Sequence, residues 1–537
     1  MNQDTFLGVK KDINLIQRML GNLGRGGFPI KETKEEIIER VIVDLDIERF
    51  LRYFFLPPVV SLNPEKEEQL LDYMARELAI LKRGKELIDR RNLVRELIEI
   101  PDLKKKVEEI VKEGYNLLFS LEKREELVGA GEWRKDLIYL SEGKTREFIR
   151  INYQILKAYT LLVEMAQQIE SRTDFVRTLK KMASQMSDEE YYKHSKEMIE
   201  NMQNFGEARL CVRYDYFRKV QDVSSIKFDP KEKKIKETLS WYLKKWRDKR
   251  TGWLRFSASR EESFYAEALD FLVMKNLSNM TEILTYPERL EFFLGGLRYI
   301  KKIESAGLPL VFPVFKKKRE FAVKELYNPC LFLRGWIKII PNDVQFDPKE
   351  NVAIITGPNN SGKSVYVKSI GLAYCLAQNG FPIAARVAEL SELKDIITHF
   401  VSPGDIAKGE GMYLDELRRI RELFLSASKE SLLVVDEPIR GSSFEDAEEM
   451  SLRFIKGFLF LGAPTFLTTH LHQVSEKVNS WQGIRNLRTK IDKNHKPTYK
   501  IILGREKSYG VEIADRFGLT TKGILEMIRK RNKTKEL

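Results

Sequence analysis

Up to about Arg319 the chain alternates apolar and charged residues at helical intervals and holds few glycines, so this stretch is expected to be mostly α-helical. Ile151, Ile155, Ala158, Leu162, Met165 and Ile169 follow one another at spacings of four and three, which sets them on one seam of a long helix that must pack against another. The period changes between Ala208 and Pro230. There Leu210, Val212, Tyr214 and Tyr216 alternate with polar residues as a half-buried strand would, and a small β insertion between helices is expected. Beyond Tyr327 short β-branched runs are separated by helical segments, the pattern of an α/β domain with a largely parallel sheet. The tail from Gly510 to Lys530 reads as a helix, a turn at Gly518-Leu519-Thr520 and a second helix.

Composition narrows the classes. The 537 residues leave room for roughly three or four domains, and 43% hydrophobic residues suffice for real cores. Lys and Arg outnumber Asp and Glu by 92 to 79, a formal charge of +13 that favours a polyanionic partner such as nucleic acid, although many soluble proteins are as basic. The stretch from Trp241 to Arg250 interleaves aromatic and basic residues, which suits a nucleic-acid surface and equally an amphipathic helix with a solvated basic face. Cys211, Cys330 and Cys375 are few and widely spaced, so neither a disulfide framework nor a zinc site is implied, and a reducing, cytoplasmic or nucleoid-associated setting is expected. No leader pattern follows Met1, and no run approaches the ~18 apolar residues of a membrane span.

The chemistry concentrates after residue 350. Val352-Ala353-Ile354-Ile355-Thr356 reads as a strand and runs into Gly357-Pro358-Asn359-Asn360-Ser361-Gly362-Lys363-Ser364 and then a helical stretch. This is GxxxxGK[ST] in the strand-loop-helix context of a phosphate-binding loop, where backbone N–H groups converge on phosphate oxygens at a helix N-terminus. In such a loop Lys363 reaches the β and γ phosphates of ATP, and the Ser364 hydroxyl ligates Mg2+. Leu432-Leu433-Val434-Val435 delivers Asp436 and Glu437: Asp436 is expected to hold Mg2+ through water, and Glu437 to accept a proton from the attacking water or to orient it. Thr465-Phe466-Leu467-Thr468-Thr469 forms a further strand ending at His470, which is placed to hydrogen-bond the γ-phosphate or the lytic water.

These residues carry a family resemblance. The order Ile340-Pro341-Asn342-Asp343-Val344, Thr356-Gly357-Pro358-Asn359, Gly362-Lys363-Ser364, Asp436-Glu437, Arg440-Gly441-Ser442-Ser443, Thr469-His470 and Ser508-Tyr509-Gly510 resembles the MutS ATPases, and Ile100-Pro101-Asp102-Leu103 resembles the core segment that precedes their levers. The resemblance implies an ABC-type ATPase head, dimerised through its nucleotide sites and a C-terminal helix-turn-helix, with long helical levers that close around DNA. It also implies that Asn359 orders the phosphate loop and that Ser442-Ser443 lie at the dimer contact. The expected architecture is therefore multidomain. It comprises an N-terminal helical segment over 1–34, an α-helical core and lever region over 35–325 with a small clamp insertion at 205–240, an α/β P-loop ATPase domain over 326–509 and a helix-turn-helix dimerisation tail over 510–537.

Two departures shape the functional expectation. The family's signature loop presents a serine to the γ-phosphate of the other subunit, whereas the matching stretch, Lys408 to Glu416, puts Gly411 there. Family members that read mismatches also place a Phe-x-Glu wedge domain and a connector before the core, and about 35 residues precede the core-like region here; Phe205-Gly206-Glu207 spells the triplet mid-chain and is taken as coincidence. Arg209, Arg213, Arg218 and Lys219 are the phosphate contacts expected if the β insertion is a clamp, with a solvated hairpin the plainer alternative. The leading expectation is a homodimeric ATPase that binds branched or duplex DNA without mismatch preference, its repair or recombination partners unnamed by the sequence. The alternative is an ATP-switched protein of structured RNA or the ribosome. A transporter or SMC-type head fits less well, lacking an LSGGQ-type signature and membrane spans.

Overall fold

In a computed structural model of the protein the described residues are 33–56, 64–128, 138–140, 142–204, 213–214, 220–222, 254–256, 260–317, 321–334, 339–346, 349–400, 412–492, 496–505 and 520–533. They fall into two compact units, one built from the described part of 92–294 and the other from the described parts of 33–91 and 295–533. The 35–325 block expected from the sequence is thus divided between the two. The reason lies in what the first helices touch.

Those helices are α1 (Lys34–Asp44), α2 (Ile47–Phe54), α3 (Pro64–Ala79) and α4 (Gly84–Glu99). The first starts on a capping box in which the Thr33 hydroxyl accepts from Glu36 N and Glu36 reaches back to Thr33 N. Phe50, Phe54 and Phe55 pack with Tyr299, and Phe55 stands edge-on to Phe381, 5.5 Å between ring centres, so this aromatic knot belongs to the second unit.

The helical unit is built around α6 (Glu142–Gln168), against which α5 (Pro101–Val128), α7 (Asp174–Asp188), α8 (Glu190–Asn204) and α9 (Arg260–Ile283) pack. Pro101 opens α5 at the position where a missing N–H costs nothing. Of the seam expected on α6, Ile151, Ile155, Ala158 and Leu162 are buried, Ile169 is buried just past the helix end, and Met165 is half-buried. Leu156, Tyr159, Val163 and Ala166 are buried too, so α6 is enclosed on a wider arc than a two-position seam. Two short strand pairs accompany the helices: β1 (Ile138–Leu140) runs parallel to β4 (Leu254–Phe256), and β2 (Arg213–Tyr214) antiparallel to β3 (Val220–Asp222). The second pair lies inside the expected β insertion. Leu210, Val212 and Tyr216 of the expected strand, Arg209, Arg218, Lys219, the Phe205-Gly206-Glu207 triplet and the 241–250 stretch lie outside the described residues.

After α10 (Thr285–Ser305) the second unit builds two sheets. A four-stranded sheet has the order β5 (Val314–Phe315), β9 (Val387–Leu390), β6 (Phe321–Leu326), β7 (Asn342–Phe346). A six-stranded sheet has the order β10 (Asp395–Phe400), β11 (Ser431–Asp436), β12 (Thr465–Thr469), β8 (Val352–Thr356), β13 (Ile484–Ile491), β14 (Pro497–Leu503). Its first five strands are parallel and only β14 is antiparallel, as the runs of β-branched residues imply. Both faces are covered. Leu433, Val435, Leu467, Val352 and Ile354 share a core with Ile420, Leu423, Ile455 and Phe458 from α12 (Met412–Ser426) and α13 (Phe444–Leu461). From the other face Phe466 meets Phe321 and Phe346 of the smaller sheet, with Tyr374 of α11 (Lys363–Gln378) beside Phe321.

Single polar residues fasten these layers. Asn342 on β7 donates to Tyr499 O at 3.0 Å and accepts from Ile501 N at 2.7 Å, joining the small sheet to the edge of the large one. At the end of α11 the buried Gln378 and Asn379 side chains bond the carbonyls of Lys82, Leu78 and Ile80, and Asn379 accepts from Arg90, which is why the first helices stay with the sheet. The helix α14 (His472–Lys477) follows β12, and α15 (Thr521–Lys533) is the second helix expected in the tail; the first lies outside the described residues, as do Gly411 and Ser508-Tyr509-Gly510. Among the described residues no helix is long and apolar enough to cross a membrane.

Candidate nucleotide site

Strands β8, β11 and β12 end side by side, and the loops that leave them bring the sequence-predicted residues together. The first loop turns from β8 into α11 with Asn360 at φ 60° and Gly362 at φ 94°, two left-handed positions that asparagine and glycine accept most readily. Gly357 is required by space instead: a Cβ there would stand 2.1 Å from Thr489 Oγ1 on β13. Lys363 is buried, and its ammonium donates to the carbonyls of Gly357 at 2.8 Å and Pro358 at 3.0 Å, closing the loop on itself. Asn359 and Asn360 are exposed at the loop's outer turn.

The two acids stand at the mouth of this loop. Ser364 Oγ donates to Asp436 at 2.8 and 3.0 Å from the two carboxylate oxygens, and Thr468 Oγ1 donates to Asp436 Oδ1 at 2.6 Å, so Asp436 is held from both neighbouring elements. Glu437 adopts φ 50°, unusual for a side-chain-bearing residue, and its N–H is held by the Thr468 carbonyl and hydroxyl at 3.1 and 3.2 Å. Its carboxylate faces Arg440 Nε at 2.6 Å and His470 Nδ1 at 3.6 Å. Burial alone pushes the Glu437 carboxyl up, but the neighbouring His470 imidazole and the charges of Arg440 and Lys363 outweigh it, and the net direction is down. His472, two residues on, is pushed down by burial and by the charges of His470 and Lys363. Of the serines expected at a dimer contact, Ser443 caps α13 by accepting from Asp446 N.

Two features of the loop suit phosphate and a divalent cation. Among the described residues the buried Ser361 Oγ has no hydrogen-bond partner, an uncommon state for a hydroxyl and one that a phosphate oxygen relieves. The Ser364 hydroxyl and Asp436 carboxylate form an all-oxygen pair on one side of the mouth, the donor chemistry that Mg2+ prefers.

Sequence reasoning missed two residues here. Glu416 on α12 is buried and accepts from the backbone N–H groups of Arg440 and Gly441; Arg440 itself was quoted only as part of a motif. Nothing local marks Glu416, since its partners lie 24 and 25 residues away. His399 on β10 is the other: burial holds its imidazole down to about 3, so it stays neutral, with Nε2 3.2 Å from the carbonyl of Pro438, next to Glu437.

Comparison with known proteins bears on the same region. Residues 353–535 match the family model for MutS domain V. The chain is 30% identical over 193 residues to the DNA mismatch repair protein MutS of Caldicellulosiruptor saccharolyticus, a match spanning 34% of this chain and 22% of that protein. It is 35% identical over 193 residues to MutS of Chlorobium phaeobacteroides, 35% of this chain and 22% of the relative. To MutS of Streptococcus thermophilus it is 27% identical over 252 residues, 45% and 30% of the two chains. Each match therefore spans less than a third of the relative's own length. The helical region followed by a mixed α/β sheet unit agrees with a MutS domain V at the C-terminal end, and the matches support a MutS-family protein.

Proposed function

We propose that this chain is an ATP-dependent DNA-binding protein of the MutS type that hydrolyses ATP with Mg2+ at the mouth of the 357–364 loop. The observation that carries the reading is the meeting of Ser364 with Asp436 at 2.8 Å directly beside Glu437 and His470, on three adjacent strand ends. Lys363 and the backbone of Gly357 to Gly362 bind the phosphates, and Ser364 and Asp436 hold the cation, whose contribution when bound is to neutralise charge that builds on the phosphoryl oxygens. Glu437 orients the lytic water and takes its proton, and His470 holds the carboxylate or the water from the other side. Because the Glu437 carboxyl is shifted down, it is ionised through the neutral range, ready to accept a proton.

A phosphate loop of this kind leaves the γ-phosphate open on one side, so the active unit in this reading is a homodimer in which a second copy covers it. The target proposed is branched or recombining DNA, supported by the excess of 92 basic over 79 acidic residues and by the kinship with MutS proteins. Phosphate contacts distinguish nucleic acids by shape and charge, not by base pairing. A four-way junction is therefore expected to bind more tightly than a homoduplex, and a duplex with one G·T mismatch to bind within about threefold of the homoduplex, under ~0.7 kcal/mol. Competition titrations at one fixed salt concentration, with and without ATP and a structured RNA included, decide the target. A tenfold mismatch preference, indifference to the junction, or tighter binding of the RNA each overturns it.

A further inference from the structure

Glu416 stands apart from the residues already given a role. It lies on α12, is buried to 2% exposure, and spends its carboxylate on main chain: Oε1 and Oε2 accept from Arg440 N at 3.1 and 3.0 Å, and Oε2 accepts from Gly441 N at 3.0 Å. A buried carboxylate costs several kcal/mol unless it is paired or hydrogen-bonded, and two successive N–H groups pointing at it form the kind of anion-binding concavity that relieves the cost. The residue so gripped is Arg440. Its guanidinium turns the other way, with Nε 2.6 Å from Glu437 and Nη2 3.6 Å from Asp436. One residue is thus held by its backbone on one carboxylate and by its side chain against two others. The helix that carries Glu416 is itself tied to the end of β10, since Arg419 bonds Asp415 at 2.9 Å and reaches the Phe400 carbonyl at 3.4 Å.

We infer that Glu416 is a positioning residue for hydrolysis: it anchors the backbone of Arg440 and Gly441 so that the Arg440 guanidinium stands on Glu437. The inference rests on the reading that Glu437 acts on the lytic water. Glu416 acts through Arg440. Without the anchor the 440–441 backbone loses its two acceptors and drifts, and the guanidinium no longer fixes the orientation of Glu437. The other charged groups facing Glu437, which are Lys363 from α11, His470 from the end of β12 and Asp436 beside it, are unaffected.

The test is steady-state ATP hydrolysis per folded molecule by the full chain, Glu416→Gln, Arg440→Gln, the double variant and Glu437→Gln. An amide has one acceptor oxygen and turns an NH2 toward the two N–H groups, so Glu416→Gln is expected to lower kcat about tenfold or more with KM for ATP within about threefold. The split between kcat and KM is the readout: a residue with only a structural role would lower the folded fraction and leave kcat per folded molecule unchanged. Substitutions acting on one linkage are not additive, so the double variant should be no slower than Arg440→Gln alone. Glu416→Asp, with the charge one methylene short, is expected to fall between the unsubstituted chain and Glu416→Gln, and with Arg440→Gln it carries the same test if Glu416→Gln does not fold. Full kcat per folded molecule overturns the inference, as does an additive double variant. If Glu437→Gln hydrolyses ATP at the unsubstituted rate, the general-base reading falls and this inference with it. An inactive Glu437→Gln beside a fully active Glu416→Gln removes only the role of Glu416.

Discussion

In the helical unit Arg124 of α5 is enclosed by its neighbours and entirely spent: it donates to Asn152 on α6 at 3.1 Å, pairs with Asp270 on α9 and lies over the Phe148 ring. Asn152 is used in the same way: its amide donates to the Phe148 carbonyl at 3.1 Å while its Oδ1 accepts from Arg124. At the strand ends of the other unit, buried and half-buried polar groups converge on one place. Among the described residues Ser361 Oγ stays unpartnered, the Lys363 ammonium lies on loop carbonyls, and Asp436 and Glu437 sit side by side, the second in left-handed backbone. Buried polar groups that satisfy one another build a framework, whereas groups that converge without satisfying one another mark a place made for something else.

The largest effect that sharpens this contrast belongs to the framework side. Arg124→Leu leaves the half-buried Asp270 carboxylate without its cation, and loss of one partner of a buried pair costs about 3–5 kcal/mol. Urea unfolding should show that loss, while ATP turnover per folded molecule stays at the unsubstituted level. Turnover lost in proportion to stability would mean that the two kinds of polar group cannot be separated.

The next concerns two carboxyls of the sheet unit whose shifts have opposite signs. Glu437 is surrounded by cationic partners and shifts down, whereas Asp44 on α1 is pushed up to about 6 because burial outweighs the neighbouring Thr398 hydroxyl and the charges of Arg40, Lys368 and Arg419; among the described residues its Oδ2 has no hydrogen-bond partner. For Asp44 the folded state keeps its proton up to about 6, while the unfolded chain releases it near the ordinary ~4. Folding therefore takes up a proton in that window, and stability falls as pH rises through it. Asp44→Asn should remove the fall, leaving the variant more stable above pH 6 by up to about 3 kcal/mol and little changed below pH 4. Equal unfolding free energies at pH 7 would show that Asp44 is not the uncompensated group described.

What was legible in the sequence follows the same division. The 357–364 loop, Asp436, Glu437 and His470 could be read because strand-end chemistry is local: a short apolar run announces the strand, and the residues that follow it are the ones it delivers. The α6 seam was legible for the same reason, as a periodicity within one helix. Contacts that cross the chain were not. Helices α1 to α3 read as the beginning of the helical region because nothing within residues 34–79 says that Asn379 will bond the carbonyls of Leu78 and Ile80, some 300 residues away. The parallel pairing of Ile138 with Leu254 joins strands too short to show a period. Glu416 enters the sequence reading only as the last residue of the stretch matched to the signature loop, and only the fold turns it toward the loop after β11.

The central claim is that the residues at the strand ends divide into those that bind nucleotide and those that act on it, and nucleotide binding measured beside single-turnover hydrolysis tests it most directly. Lys363→Ala is expected to weaken ATP binding. Glu437→Gln is expected to bind ATP with Mg2+ as the unsubstituted chain does and to hydrolyse it about 10²-fold more slowly or worse, the scale of a lost general base. Equal loss of binding in the two variants, or hydrolysis by Glu437→Gln at the unsubstituted rate, would contradict the account.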